Sequence, residues 1–511
     1  MSAKLAQLNT KVLENSLLGT EVADYPPEIL KYPERVIQFG EGNFLRAFVN
    51  WFFHQLNKKN LFMGRTVVVQ PIPRGRVGNL KQQDNLYTLL LRGIQEGKII
   101  NQREIITSIS RGLEAYGEWA EILKLAENPN IEFVVSNTTE AGIVFSADDC
   151  LDDSPPDSFP GKLTAYLYHR YQYFNGDTSK GMVIIPVELI EDNGDHLKEI
   201  VLKLAEQWKL SGEFRTWIKE ANVFLNTLVD RIVTGYPEKE IEKLEEELGY
   251  HDENMVAGEI FHLWIIEGDK KVREKLPFHE AGLNVKWVKN LRSYRQRKVR
   301  ILNGVHTAAV APAYLAGIDL VRDAVEDPCL GKYMEKVVFE NIIPSMNKDE
   351  DLNDFATKVL ERFRNPFIDH KWLDISLNSI SKFRTRVLPS LLGYIKKREE
   401  FPDELVFSLA SLILFYKGTE IREGSLIAYR NQEEYLIRDD LQVLEFFSKV
   451  WSEYQNNSLS MAGLVKRVLS RQEFWGQDLN KLPGLGENLT KYLSEIEEKG
   501  IKRVLNCRED L

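Results

Sequence analysis

The sequence predicts an α/β N-terminal domain on a parallel sheet, followed by a mainly α-helical C-terminal domain. Two patterns carry this. In the first half, short strands that are apolar throughout alternate with helix-like segments, as in a parallel sheet covered on both faces. Past about residue 290 the strand patterns nearly vanish and helical periodicity runs to the end. There is no internal repeat or low-complexity tract, and the boundary falls near 282–291, giving domains 1–285 and 286–511.

The elements follow in order. "RVIQFG" (35–40) is a short strand ending in glycine, and "NFLRAFVNWFFHQLNKKN" (43–60) a single helix with a wide apolar face. "RTVVVQPI" (65–72) is a β-branched strand stopped by prolines. "IEFVVSN" (131–137) and "KGMVIIPVEL" (180–189) are buried strands, the second followed by an Asn193-Gly194 turn. "LDDSPPDSFPG" (151–161) is a loop, and "YPEKEIEKLEEELGYHDEN" (236–254) an exposed, ion-paired helix.

Composition bounds the function. At 43% hydrophobic and 28% charged, the chain has material for more than one core. A net charge of −10 argues against a nucleic-acid partner, which would need a basic face. Three scattered cysteines, Cys150, Cys329 and Cys507, with no CxxC pair, suit a reducing cytoplasm. "MSAKLAQLNTKVLENS" has no continuous apolar core, so no secretory signal is expected. "LVFSLASLILFY" (405–416) is too short to span a bilayer and reads as a buried helix, so no membrane partner is expected. A monomer or small homo-oligomer is consistent with these features.

The first strand runs into "FGEGNFLRAF" (39–48). Gly40 and Gly42 form the G-x-G of a dinucleotide fingerprint between strand and helix, which makes the N-terminal domain Rossmann-type. A tight turn there lets backbone approach a pyrophosphate, with the helix-start amides of Asn43 and Phe44 facing its charge. The third glycine is replaced by Leu45, and Arg46 offers a further phosphate partner. The second strand ends "VVVQPIPRGR" without the acid that usually binds ribose. Either Gln70 and backbone hold the ribose of NAD, or Arg74 or Arg76 accepts the 2′-phosphate of NADP. NAD is the expectation. "VVSNTTEAGI" (134–143) places Asn137, Thr138 and Glu140 past a strand end, where cofactors gather in such sheets.

"KVRILNGVHTAAVAP" (298–312) reads as a helix with Leu302, Val305 and Ala309 on one buried stripe. At about 100° per residue, Lys298 falls on that stripe, His306 about 80° from it and Asn303 about 140° from it. Oxidation of a secondary alcohol needs a proton acceptor and a donor to the developing alkoxide. Lys298 can be the base if burial and the neighbouring Arg295, Arg297 and Arg300 disfavour its charge. Asn303 can donate to the oxygen, and His306 can hold a hydroxyl. The alternative is a snorkelling lysine beside a satisfied core histidine.

"GEGNFLRAF" with "KVRILNGVHTAA" resembles the mannitol dehydrogenase family of polyol-specific, metal-independent long-chain dehydrogenases. The resemblance implies Lys298 as general base, Asn303 as oxyanion donor, His306 on substrate, NAD as cofactor and no metal. It extends through "YPERVIQFGEGNFLRAFV", "FVVSNTTEAGI", "TLVDRIVTGYP", "LEEELGYHD", "RFRNPFI", "KFRTRVLP" and "FWGQDLNKLPGL", nearly the whole chain, and implies an active site in the cleft between the domains. One departure stands out: a family asparagine that shares the oxyanion role aligns with Leu189, leaving Asn193 as the nearest amide. These segments are similar to family members acting on a sugar acid. A small-molecule substrate with a carboxylate is therefore implied, and Arg364, Lys382, Arg384 and Arg386 are candidates to bind it. A sister activity on another uronate or a polyol, or a non-catalytic nucleotide- or sugar-binding protein, remain the alternatives.

Overall fold

The structure is a computed structural model describing residues 5–14, 26–138, 142–347 and 351–506. The chain separates into two compact units, Met1–Arg292 and Ser293–Leu511.

The first unit is built on a six-stranded sheet. Its strands in chain order are β1 (Glu34–Phe39), β2 (Arg65–Gln70), β5 (Ile109–Glu114), β6 (Phe133–Ser136), β7 (Val183–Pro186) and β8 (Val223–Phe224), with β3 (Tyr87–Gln95) and β4 (Lys98–Ile106) branching off after β2. The order across the sheet is β5-β2-β1-β6-β7-β8, and every pair is parallel. Successive side chains alternate faces, and each face has its own core. Val36, Val68, Phe133, Val135 and Ile185 point to one side, packed with Phe52, Phe53, Trp264 and Phe278. Ile37, Phe39, Val67, Val69, Val134 and Ile184 point to the other, under the helices Ala115–Leu125, Phe159–Tyr173 and Asn193–Gln207. The expected parallel sheet, apolar on both faces, is therefore present.

Two smaller sheets were not anticipated. β3 and β4 form a hairpin, and β3 pairs in parallel with Val256–Glu259, itself beside Val233–Gly235. Leu263–Glu267 lies between Asn226–Asp230 and Val285–Val288. The charged stretch 236–254 holds only a short helix, Ile241–Leu248, and it is not wholly solvated: Leu244 and Leu248 are buried with Leu86, Leu90 and Met255.

The single helix expected over 43–60 is broken in two. After α1 (Thr10–Glu14), α2 (Asn43–Ala47) ends at Phe48, whose φ and ψ of −122° and −80° are not helical, and α3 (Val49–Lys58) begins at once. The cause is competition for carbonyls. The Tyr87 hydroxyl donates to Arg46 O at 2.8 Å, and the Arg231 guanidinium donates to Ala47 O at 2.6 Å. Phe48 then turns inward against Phe44, Phe52 and Trp264.

The second unit is helical around Gly304–Leu315, which is buried almost throughout. This helix packs on Asp403–Phe415, the apolar segment expected to be a buried helix; the Tyr333 and Ser408 hydroxyls both donate to Ala308 O. One antiparallel meander, Gly418–Arg422, Ser425–Arg430 and Glu433–Ile437, is an exception to the helical pattern. Among the described residues no helix is long and apolar enough to cross a membrane.

Phe52 is fully buried between Phe48, Trp264 and Phe278. Phe52→Ala is expected to destabilise the first unit by about 3–5 kcal/mol through lost burial and the cavity it leaves. A denaturant midpoint within error of the unsubstituted protein would contradict this packing.

Candidate active site

In the first unit the strand order reverses between β1 and β6, the position at which doubly wound sheets bind ligands beyond the carboxyl ends of their strands. Gly40 leaves β1 with φ of +116°, a conformation that favours glycine. A Cβ there would lie 2.9 Å from the Leu45 side chain and 3.3 Å from Asn137 O, so Leu45, in place of the third glycine, closes the turn from below. Nothing lies within 4 Å of the position a Cβ on Gly42 would take. A pinched first glycine and an open second one fit the pyrophosphate of a dinucleotide.

The side chains expected around this turn divide sharply. Arg46 is 1% exposed and is not available to a phosphate. Its guanidinium donates to Glu41 O, to Asn43 Oδ1 and, very closely, to Asn254 O, and it lies over the Tyr87 ring. A rigid fork in a dry site suits such a knot, and burial lowers its pKa. Gln70 is likewise occupied: its amide donates to Ile72 O, and its carbonyl accepts from Val77 N–H. Asn43 contributes its side chain to Arg46, and the Phe44 ring stacks on Phe48. Asn137 donates to Val187 O at 3.3 Å. The Thr138 amide and hydroxyl both donate to Glu188 Oε1, at 3.1 and 3.2 Å. Glu140 lies outside the described residues.

Asn193 is a correction. It opens the helix Asn193–Gln207 instead of forming a turn, and it is fully buried. Its amide donates to Pro186 O and Glu188 O, and its carbonyl accepts from Gly194 and Thr227 N–H. Such an asparagine ties the end of β7 to the strand Asn226–Asp230 and has nothing left to offer a substrate.

Sequence reasoning overlooked two acids here. Glu41 sits between the two glycines, and its Oε1 accepts from Arg76 N–H. Burial raises its pKa, opposed by that N–H and by Arg46. Glu188 is 2% exposed beyond β7, and burial raises its pKa too. An acid at the x of G-x-G was visible in the sequence, but nothing there marked Glu188 as buried.

In the second unit the catalytic candidates share one continuous helical rod, though not the uniform α-helix expected. Lys298–Asn303 is a π-helical turn, and the α-helix starts at Gly304. This corrects the predicted angles. In a π turn the hydrogen bond joins residues five apart, so side chains five apart fall near the same face. Lys298 and Asn303 are five apart, and His306 follows Asn303 at the i+3 spacing that shares a face in an α-helix. The π turn thus brings onto one stripe three groups that an unbroken α-helix would splay. Lys298 and Asn303 are half-buried.

His306 is 8% exposed, stacks on Phe363 at 4.0 Å and meets the edge of His370 at 5.2 Å. Its Nε2 has no hydrogen-bond partner among the described residues. Its pKa is held well below the ordinary value, first by burial, then by His370, Arg362, Arg386 and Lys382, so the ring is neutral. Of the arginines expected beside Lys298, Arg297 is buried over the Tyr294 and Phe355 rings, and Arg300 donates to Ser345 and Ser390.

Gly304 lets the helix Ser379–Arg386 approach: a Cβ there would stand 3.2 Å from Arg386 O. Lys382 and Arg386, four apart, share one face of that helix, and burial lowers both pKa values. Lys382 Nζ donates to Ile375 O at 2.8 Å. Arg384 faces elsewhere, donating to Glu473 O, and the half-buried Arg364 lies beside Glu335 at 3.8 Å. Neither joins the His306 cluster. Arg362 does, and its spacing of three and seven from Val359 and Phe355 on the buried face of Leu352–Phe363 was a readable sign.

A nucleotide-type sheet and a lysine–asparagine–histidine helix define a class of metabolic dehydrogenase. Residues 34–280 match the model of the mannitol dehydrogenase Rossmann domain and residues 290–497 that of the mannitol dehydrogenase C-terminal domain. The chain belongs to the mannitol dehydrogenase family. Among its relatives are the altronate oxidoreductases of Halalkalibacterium halodurans, 46% identical over 93% of both chains, and of Bacillus subtilis, 46% identical over 93% of this chain and 95% of that one. The fold is also that of Pseudomonas fluorescens mannitol 2-dehydrogenase, solved with NAD and D-mannitol, at a TM-score of 0.70 and 21% identity over 99% of each chain.

Arg46→Lys keeps the charge and loses the fork. It should cost roughly 2–4 kcal/mol and lower the thermal unfolding midpoint. An unchanged midpoint with weakened dinucleotide binding would instead put Arg46 on the phosphates.

Proposed function

We propose that the chain is an NAD-dependent secondary-alcohol dehydrogenase that interconverts D-altronate and D-tagaturonate. The observation that carries this reading is the alignment of Lys298, Asn303 and His306 across the π turn, beside a half-buried pair of cations. The 46% identity to altronate oxidoreductases over most of both chains points to the same substrates.

Gly40, Gly42, Asn43, Phe44, Asn137 and Thr138 are the residues that would hold NAD. When bound, NAD+ accepts a hydride from the carbinol carbon, and NADH returns one to the ketone. The remaining work belongs to the chain. Lys298 takes the hydroxyl proton during oxidation and returns it during reduction, so it must be unprotonated to start the first direction. Asn303 donates an N–H to the oxygen as negative charge develops on it, which a neutral amide does without a proton change. His306, kept neutral by burial and surrounding cations, donates or accepts one hydrogen bond to a substrate hydroxyl through its unpartnered Nε2. Lys382 and Arg386 hold the carboxylate, a group that repays the clustering of two cations on one helical face.

The direct test supplies purified protein and NADH with D-tagaturonate, D-fructuronate and D-fructose in parallel. Turnover is expected with D-tagaturonate; preference for either other ketose would overturn the substrate, and silence with all three would overturn the activity. Lys298→Ala should lower kcat by about 10²–10⁴-fold with NAD+ affinity unchanged. Arg386→Ala should raise KM for the uronate by roughly 10–100-fold, the equivalent of one charge-assisted hydrogen bond. An equal loss with every variant substrate, charged or neutral, would place Arg386 outside carboxylate recognition.

A further inference from the structure

β2 ends at Gln70 and no acid follows it in the loop 71–76, while Gln70 itself is closed onto that loop. The structure brings a carboxyl to that place from another element. Glu41 Oε1 accepts from Arg76 N–H at 3.3 Å, across the gap from the turn after β1 to the loop after β2. A Cβ on Gly75 would lie 2.1 Å from Glu41 Oε1 and 2.4 Å from Gln70 Oε1, so the ends of both side chains converge over Gly75 at the carboxyl end of β2. The aim of Glu41 is fixed from behind, because Arg46 Nε donates to its main-chain carbonyl at 3.1 Å. Arg74 and Arg76 are exposed on the same loop, and Arg76 faces Glu41 through its main chain.

We infer that Glu41 supplies the acid missing from β2, accepting the hydroxyls of the adenosine ribose and excluding a 2′-phosphate. This rests on the dinucleotide reading above. One carboxyl oxygen is engaged by Arg76 N–H, and the other remains to accept from a vicinal diol. A phosphomonoester in the same place brings like charge against the carboxylate and removes the donor. The two loop arginines therefore do not convert the site to NADP, although the sequence taken alone allows it.

The test is calorimetric titration of the intact protein with NAD+ and with NADP+, without sugar substrate. The unsubstituted protein should bind NAD+ at least about tenfold more tightly than NADP+. Glu41→Gln keeps an acceptor for Arg76 N–H and removes the charge; it should narrow the ratio about tenfold or more, in part by a gain in NADP+ affinity. Glu41→Asp keeps the charge and should keep NADP+ excluded. Equal loss of both cofactors in Glu41→Gln, an unchanged ratio, or a native preference for NADP+ would each overturn the inference. As long as the unsubstituted protein binds NAD+ or NADP+, the dinucleotide reading survives each of these while the role of Glu41 falls. Absence of binding by the unsubstituted protein would remove both.

Discussion

The buried guanidinium of Arg46 is the interaction on which the first unit turns. A charged group so completely removed from water persists only where it is fully hydrogen-bonded. Arg46 meets that requirement with two main-chain carbonyls, one side-chain amide and an aromatic face. Each partner belongs to something the site needs. Glu41 and Asn43 flank the open glycine, Asn254 leads into the second sheet, and Tyr87 begins the hairpin that packs beside it. The short helix after β1, its break at Phe48 and the shape of the glycine turn all follow from this one cation and from the two donors that take the carbonyls behind it.

Much of this was legible in the sequence, and the failures share a cause. The parallel sheet was readable because strands buried on both faces need apolar residues at every position, as in "RTVVVQ" and "FVVS". The buried helix of the second unit was readable for the same reason. What pattern reading missed depended on partners remote in sequence. Arg46 looked like a phosphate ligand because nothing local shows that the Asn254 carbonyl waits 208 residues away. Asn193 looked like a spare amide because its partners at Thr227 are 34 residues further on. Periodicity also assumes one pitch. The lysine, asparagine and histidine were readable as residue types, but the uniform α-helix expected for them is interrupted by a π turn that a 3.6-residue template does not represent.

The two units solve the problem of charge in opposite ways. In the first, the cation is neutralised by dipoles and sealed. In the second, His306 is kept uncharged while cations are gathered round it. Like charges half-removed from water repel, and the α-helix that carries Lys382 and Arg386 has no acid in its first turn to offset them. That arrangement disfavours the charged form of both groups in the protein alone, and the proposed carboxylate of the substrate would offset it.

The reach of the Arg46 knot also governs when the first unit can be completed during synthesis. β1 and β2 are made early, but β3 finds its parallel partner only in Val256–Glu259, and the Arg46 knot behind the glycine turn is completed only when the carbonyl of Asn254 arrives. Such distant pairings must overcome the entropy of closing long loops before they stabilise anything. A nascent chain shorter than about half of the 511 residues therefore carries the motif without its geometry. The nucleotide cradle, encoded near the beginning, is therefore among the last features of its unit to be completed.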